Sequence, residues 1–221
     1  MPDQAPAISG PAAHVEDTRL SATRVLPVQY ERSGTIDPSR NRLAALGMAA
    51  AAMGVLLSVT WLLIQLLAIS RPDLRDGQFA FEVGVLEALL GPPALVALIA
   101  VAVIAHEAVH GLCYWAFTAQ RPVFGLRGLY AFAGAPDWYL SRREFVLATL
   151  APLVVITVAG LPLLLTISGV ALWAVLVVVA FNAAGSIGDL IAAAWVLTRQ
   201  PPVLVNDTGV AVTIYQLTRS H

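Results

Sequence analysis

The run AVAVIAHEAVHGLCYWAF, residues 100–117, sets His106, Glu107 and His110 among apolar neighbours. A helix turns about 100° per residue, so the two histidines, four apart, project from one face about one turn from each other. Two neutral imidazoles so placed can hold one cation. Glu107 beside them can take a proton from a water, which completes the H-E-x-x-H arrangement of zinc hydrolases. The alternative is a structural cluster in which the same side chains bond to one another without metal. Against it stands the cost of ionisable groups inside a membrane, where they generally face a polar cavity or a functional partner. The other two histidines, His14 and His221, lie in the tails.

A catalytic zinc takes three protein ligands plus a water, so a third ligand must come from elsewhere in the chain. The candidates are Asp189, Glu144, Asp137 and Cys113. Asp189 is the only carboxylate in the last apolar stretch, and it carries the same burial penalty as the histidines. Its depth also matches, because His110 and Asp189 each sit roughly 12 to 14 Å from the same membrane face at 1.5 Å per residue. Asn182, Ser186 and Asp189 form one polar stripe at helical spacing. Asn182 could donate to a developing oxyanion, or the stripe could be a packing seam. Cys113 shares the histidine face but suits a small buried apolar role, and Glu144 in SRREF reads as an interfacial charge.

These residues must be positioned by membrane helices. Of 221 residues, 58% are hydrophobic and 12% charged, against about half and about a quarter in a soluble domain. Mean hydropathy is +0.76. The expected class is an all-α membrane protein with about four transmembrane helices and short β-hairpin-like segments. The expected spans are 43–69, 92–119, 146–167 and 170–197, each near or above the roughly 20 residues that cross a bilayer. Gly47, Ala50 and Gly54 offer a close-packing face on the first span, and Gly185 and Gly188 another on the fourth. Segment 70–91 is amphipathic and is expected to be interfacial or partly re-entrant.

Three regions follow: a flexible N-terminal tail over 1–42, a transmembrane metallopeptidase-like unit over 43–200, and a short β-prone tail over 201–221. Runs 123–124 and 129–132, around Gly-Leu-Arg-Gly, predict a hairpin between spans 2 and 3. Two further β-rich runs flank Asn206-Asp207-Thr208-Gly209, a turn-forming cluster. All thirteen basic residues are arginines and the formal net charge is −1, so no basic patch suggests nucleic acid. Nine arginines precede span 1 or lie between spans 2 and 3, whereas Arg71 and Arg75 alone lie between spans 1 and 2. The positive-inside rule then puts both termini in the cytoplasm. A single cysteine excludes an internal disulfide.

HEAVH on a membrane helix, REFVLATLAPLVVI, and NAAGSIGDLIAAAWVLTRQPPVLVNDTG together resemble the zincin peptidase family of small multipass bacterial membrane proteins, over roughly residues 90–215. That family is similar to the site-2 proteases, which are intramembrane zinc metalloproteases. The resemblance implies Zn2+ as cofactor, His106, His110 and Asp189 as its ligands, and Glu107 as general base. It also implies a membrane-protein or peptide substrate and residence in a bacterial plasma membrane. Site-2 proteases carry an Asp-Gly pair, whereas here Gly188 precedes Asp189 and Leu190 follows it. Two other functions fit the same residues: a metal-binding membrane protein that does not cleave, and a small carrier that relays protons or cations.

Overall fold

The computed structural model describes residues 21–74, 78–127 and 130–218. Residues 1–20 of the expected tail over 1–42 lie outside the described residues, as do Arg75, Leu129 and His221. Among the described residues five α-helices form: α1 (Arg42–Ser70), α2 (Gln78–Thr118), α3 (Arg142–Thr166), α4 (Val170–Gly185) and α5 (Ile187–Leu197). Four stretches, Arg42–Ser70, Gly91–Thr118, Arg142–Thr166 and Val170–Leu197, are long and apolar enough to cross a membrane. The chain thus has the make-up of a multipass membrane protein.

Local chemistry explains where these helices begin and bend. Asn41 caps α1, its side-chain oxygen accepting the Leu43 and Ala44 N–H groups at 3.0 and 3.2 Å. Ser141 and Glu144 form a reciprocal capping box that starts α3. Segment 70–91 takes the form of a 3-10 turn over Pro72–Leu74 and then the first part of α2, which kinks at Gly91. Gly91 has φ +44°, a conformation that favours glycine, and Pro92 and Pro93 restart the helix where missing N–H groups cost little. The last span is interrupted at Ser186, dividing it into α4 and α5.

Packing separates a central helix pair from a peripheral one. In the α4–α5 span 44% of the most apolar window is buried, against 11% in α1. Gly47 and Gly54 have nothing within 4 Å of a Cβ built on them. The expected close-packing face of α1 is therefore not used against any described residue, because α1 meets α4 through Leu63 and Leu67 instead. Gly188 faces α1, where a Cβ would meet the Met48 methyl at an ordinary contact distance of 3.4 Å.

Among the described residues, six strands lie at the end of the bundle where α1 begins, α2 ends, α3 begins and α5 ends. They are β1 (Tyr30–Ile36), β2 (Val123–Arg127), β3 (Tyr130–Gly134), β4 (Leu140–Ser141), β5 (Val203–Asp207) and β6 (Val212–Leu217). The two expected hairpins form: β2 pairs with β3 from Val123↔Gly134 to Arg127↔Tyr130, and β5 pairs with β6 from Val203↔Gln216 to Asp207↔Val212. The second belongs to a four-stranded antiparallel sheet in the order β1-β6-β5-β4. Here the structure differs from the expected flexible tail, because residues 30–36 are strand β1. YERSGTI has little apolar alternation of its own, and it is ordered by the ladder to β6 and by burial of Tyr30.

One apolar cluster joins sheet to helices through Tyr114, Leu140, Phe145, Val196, Val205 and Ile214. A second, with Leu63, Leu164, Leu172, Leu176 and Val179, holds the opposite end. On the last span, Asn182 and Asp189 fall between the two.

The hairpins meet at a point with no spare volume. A Cβ on Gly134 would lie 2.6 Å from the Gly209 nitrogen, and one on Gly209, where φ is +79°, would strike the Phe132 ring. Gly134→Ala is expected to destabilise the detergent-solubilised protein by about 1–3 kcal/mol through overpacking against backbone. Gly47→Ala, in open space on a helix, should leave the melting temperature unchanged or slightly raised. Thermal melts of the two variants side by side check this.

Candidate metal centre

Pro152 is buried within α3 and has no N–H. The carbonyl four residues earlier, that of Ala148, therefore loses its helical partner. It accepts instead from Nδ1 of His110 at 2.9 Å. A carbonyl can only accept, so the His110 proton sits on Nδ1 and its Nε2 presents a lone pair. His106 is held in the same sense, with Nδ1 2.9 Å from Oδ1 of Asn182.

The two Nε2 atoms face each other at 3.2 Å. Asp189 meets both, Oδ2 at 3.1 Å from His106 Nε2 and Oδ1 at 3.5 Å from His110 Nε2. Three acceptors thus converge with no donor between them. Ligand bonds of about 2.0–2.1 Å in a tetrahedron give edges of about 3.3 Å, so these separations suit one face of a four-coordinate site. The donor set fits a divalent cation, and His106, His110 and Asp189 could hold one.

Of the four candidates for a third ligand, only Asp189 reaches the histidines. Glu144 is committed to the α3 cap, where it accepts from the Ser141 backbone and hydroxyl and from the Ala22 N–H. Asp137 lines a separate cleft with Arg24, Pro136 and Tyr139. Cys113 packs against the sheet-side apolar cluster. Glu107 lies partly exposed on the wall of a cavity of about 760 Å³ that also takes in His106, His110, Asn182 and Asp189. Its carboxylate receives the backbone N–H of Ala133 from β3. Asn182 is almost fully buried, with its oxygen on His106 and its amide nitrogen unpartnered among the described residues.

Two residues that the motifs did not single out also belong to this region. Tyr114, one turn after His110, stacks on its ring with centroids 6.4 Å apart and an interplanar angle of 18°. Its hydroxyl donates to Oδ2 of Asp207 at 2.6 Å, while Oδ1 of Asp207 accepts the Gly209 N–H at 2.8 Å. The Asp207 carbonyl accepts from Ala135 at 2.9 Å. Burial pushes the Asp207 carboxyl up from its ordinary range, against the pull of the Tyr114 hydroxyl and the Gly209 N–H. Tyr114 was legible from spacing, since it continues the i, i+4 row of His106 and His110. Asp207 was not, because a carboxylate beside Gly209 already has a role as a turn former.

Restoring the missing N–H tests the His110 anchor. Pro152→Ala lets residue 152 compete for the Ala148 carbonyl, and loss of a partner of this kind typically costs about 10–100-fold in metal affinity. Chelator competition with zinc on the purified variant is expected to show a weakening of that order with the helical circular dichroism unchanged. An unaltered affinity would contradict the anchor.

No curated protein and no solved structure matches the chain. Residues 99–205, the stretch from within α2 to β5 that carries both histidines, Glu107, Asn182 and Asp189, match the model of the family described as "Putative zincin peptidase".

Proposed function

We propose that the protein is a membrane-embedded zinc metallopeptidase that hydrolyses peptide bonds of membrane or membrane-adjacent proteins. The observation that carries this reading is the convergence of three lone-pair donors beside a carboxylate, in one cavity within the helices. His106, His110 and Asp189 would hold the ion. Zinc there supplies a Lewis acid that polarises a carbonyl and brings the acidity of water toward neutrality.

The remaining work falls to the chain. Glu107 takes a proton from the attacking water and passes it to the leaving amine, so that water is added across the C–N bond. The Ala133 N–H orients that carboxylate. Asn182 and Ala148 keep both imidazoles in one tautomer, which spares the site any reorganisation before reaction. A peptide bond inside a substrate helix is hidden by its own hydrogen bonding, so the substrate must extend. The β2–β3 ribbon at the cavity supplies a strand along which an extended segment can align.

Arginine placement supports the orientation with the sheet in the cytoplasm. Arg24, Arg32, Arg40, Arg42, Arg121, Arg142, Arg143 and Arg199 belong to the sheet end of the bundle, while Arg71 sits at the other. Arg71 is occupied there, bonding Ile167 O and Ser168 Oγ at 2.8 Å each.

Glu107→Gln is the discriminating variant. It is expected to retain stoichiometric zinc and to lose hydrolysis by a factor of about 10²–10⁴. Profiling of new protein N-termini in membranes that carry wild type or Glu107→Gln should reveal fragments present only with wild type. Identical profiles would favour a metal-binding protein that does not cleave. His106→Ala, by contrast, should lose the metal itself.

A further inference from the structure

Among the described residues, the buried Ser and Thr hydroxyls of these helices are satisfied by one device, except at one position. Thr118 donates to the Tyr114 carbonyl at 2.7 Å and Ser186 to the Asn182 carbonyl at 2.9 Å, each four residues back. That is the usual way a helical Ser or Thr disposes of its proton. Thr149 on α3 is only 3% exposed, yet its Oγ1 has no hydrogen-bond partner among the described residues. A buried hydroxyl left unpaired costs stability that a methyl group of the same size would not.

The position of this hydroxyl sets it apart. Thr149 follows Ala148, whose carbonyl orients His110, and it lines the same cavity as both histidines, Glu107 and Asp189. A second unpaired donor belongs to a residue of that cavity's wall, the buried amide nitrogen of Asn182, whose oxygen holds His106. Each free donor thus belongs to, or adjoins, the group that anchors one histidine. Two donors with no acceptor suit an oxygen that arrives with a ligand.

We infer that the Thr149 hydroxyl, with the Asn182 amide as its companion, is a hydrogen-bond donor to a backbone carbonyl of the peptide segment in the cavity. This rests on the peptidase reading and deepens it, by adding a substrate-contacting residue outside the HEAVH helix. Thr149 is also the one of the pair that can be changed without disturbing a histidine.

The test uses the zinc-loaded full-length protein in detergent, with a leucine dipeptide hydroxamate and acetohydroxamate as probes. Both carry a zinc-binding head, and only the first carries a peptide carbonyl. Thr149→Val is expected to weaken the dipeptide probe about tenfold, the worth of one hydrogen bond, while acetohydroxamate affinity and zinc content stay at wild-type values. Thr149→Ser should restore dipeptide binding. The unliganded melting temperature of Thr149→Val should equal or exceed that of wild type, because an unpaired polar atom is removed. Unchanged dipeptide affinity in Thr149→Val overturns the inference and leaves the peptidase reading intact. A parallel loss of both probes with a lowered melting temperature makes Thr149 structural and also overturns it. Wild type that holds zinc but binds neither probe overturns the peptidase reading and this inference together.

Discussion

The absent N–H of Pro152 organises the centre. An interior proline is expensive in a helix, about 3 kcal/mol in soluble hosts, and it strands the carbonyl one turn before it. In this protein that carbonyl, of Ala148, points at His110 and takes its Nδ1 proton. The consequence reaches across the ring. Nε2 of His110 becomes a pure acceptor, and it faces Nε2 of His106, which the Asn182 oxygen holds in the same state. Asp189 closes the triangle. A helix defect is thereby turned into a preorganised donor set, in which the Nδ1 proton of each imidazole has an acceptor within the helices.

The sheet contributes to the same centre from outside the helices. Tyr114 extends the histidine row by one turn and ends on Asp207, which the β5–β6 turn carries into the bundle. Ala133 reaches Glu107 from β3, and Gly134 fits under Gly209 with no room for a side chain. The cavity roof is therefore continuous with the strands. The two glycines explain how two hairpins from distant parts of the chain share that roof.

Much of this was legible in the chain itself, and the parts that were not have identifiable causes. HEAVH has a spacing with one meaning on a helix, and depth along antiparallel spans brings Asp189 to the level of His110. The hairpins follow from β-rich runs around Gly-Leu-Arg-Gly and Asn-Asp-Thr-Gly. Strand β1 was not legible, since Tyr30 pairs with Leu217 at the far end of the chain and the segment has no apolar alternation. Small residues at 47, 50 and 54 look alike whether or not a helix packs on them. Pro152 could be read as a tolerated break, but the recipient of its stranded carbonyl depends on how α2 and α3 lie together. The unpaired state of Thr149 is likewise a property of packing.

In the proposed function, His106, His110 and Asp189 together hold one zinc ion. X-ray absorption at the zinc edge of the purified, zinc-loaded protein reads that ligand set directly. The expected spectrum has two imidazoles at about 2.0–2.1 Å, oxygen completing four-coordination and no sulfur. A sulfur scatterer near 2.3 Å would move the metal to Cys113, and fewer than two imidazoles would break the pairing on which the centre is built.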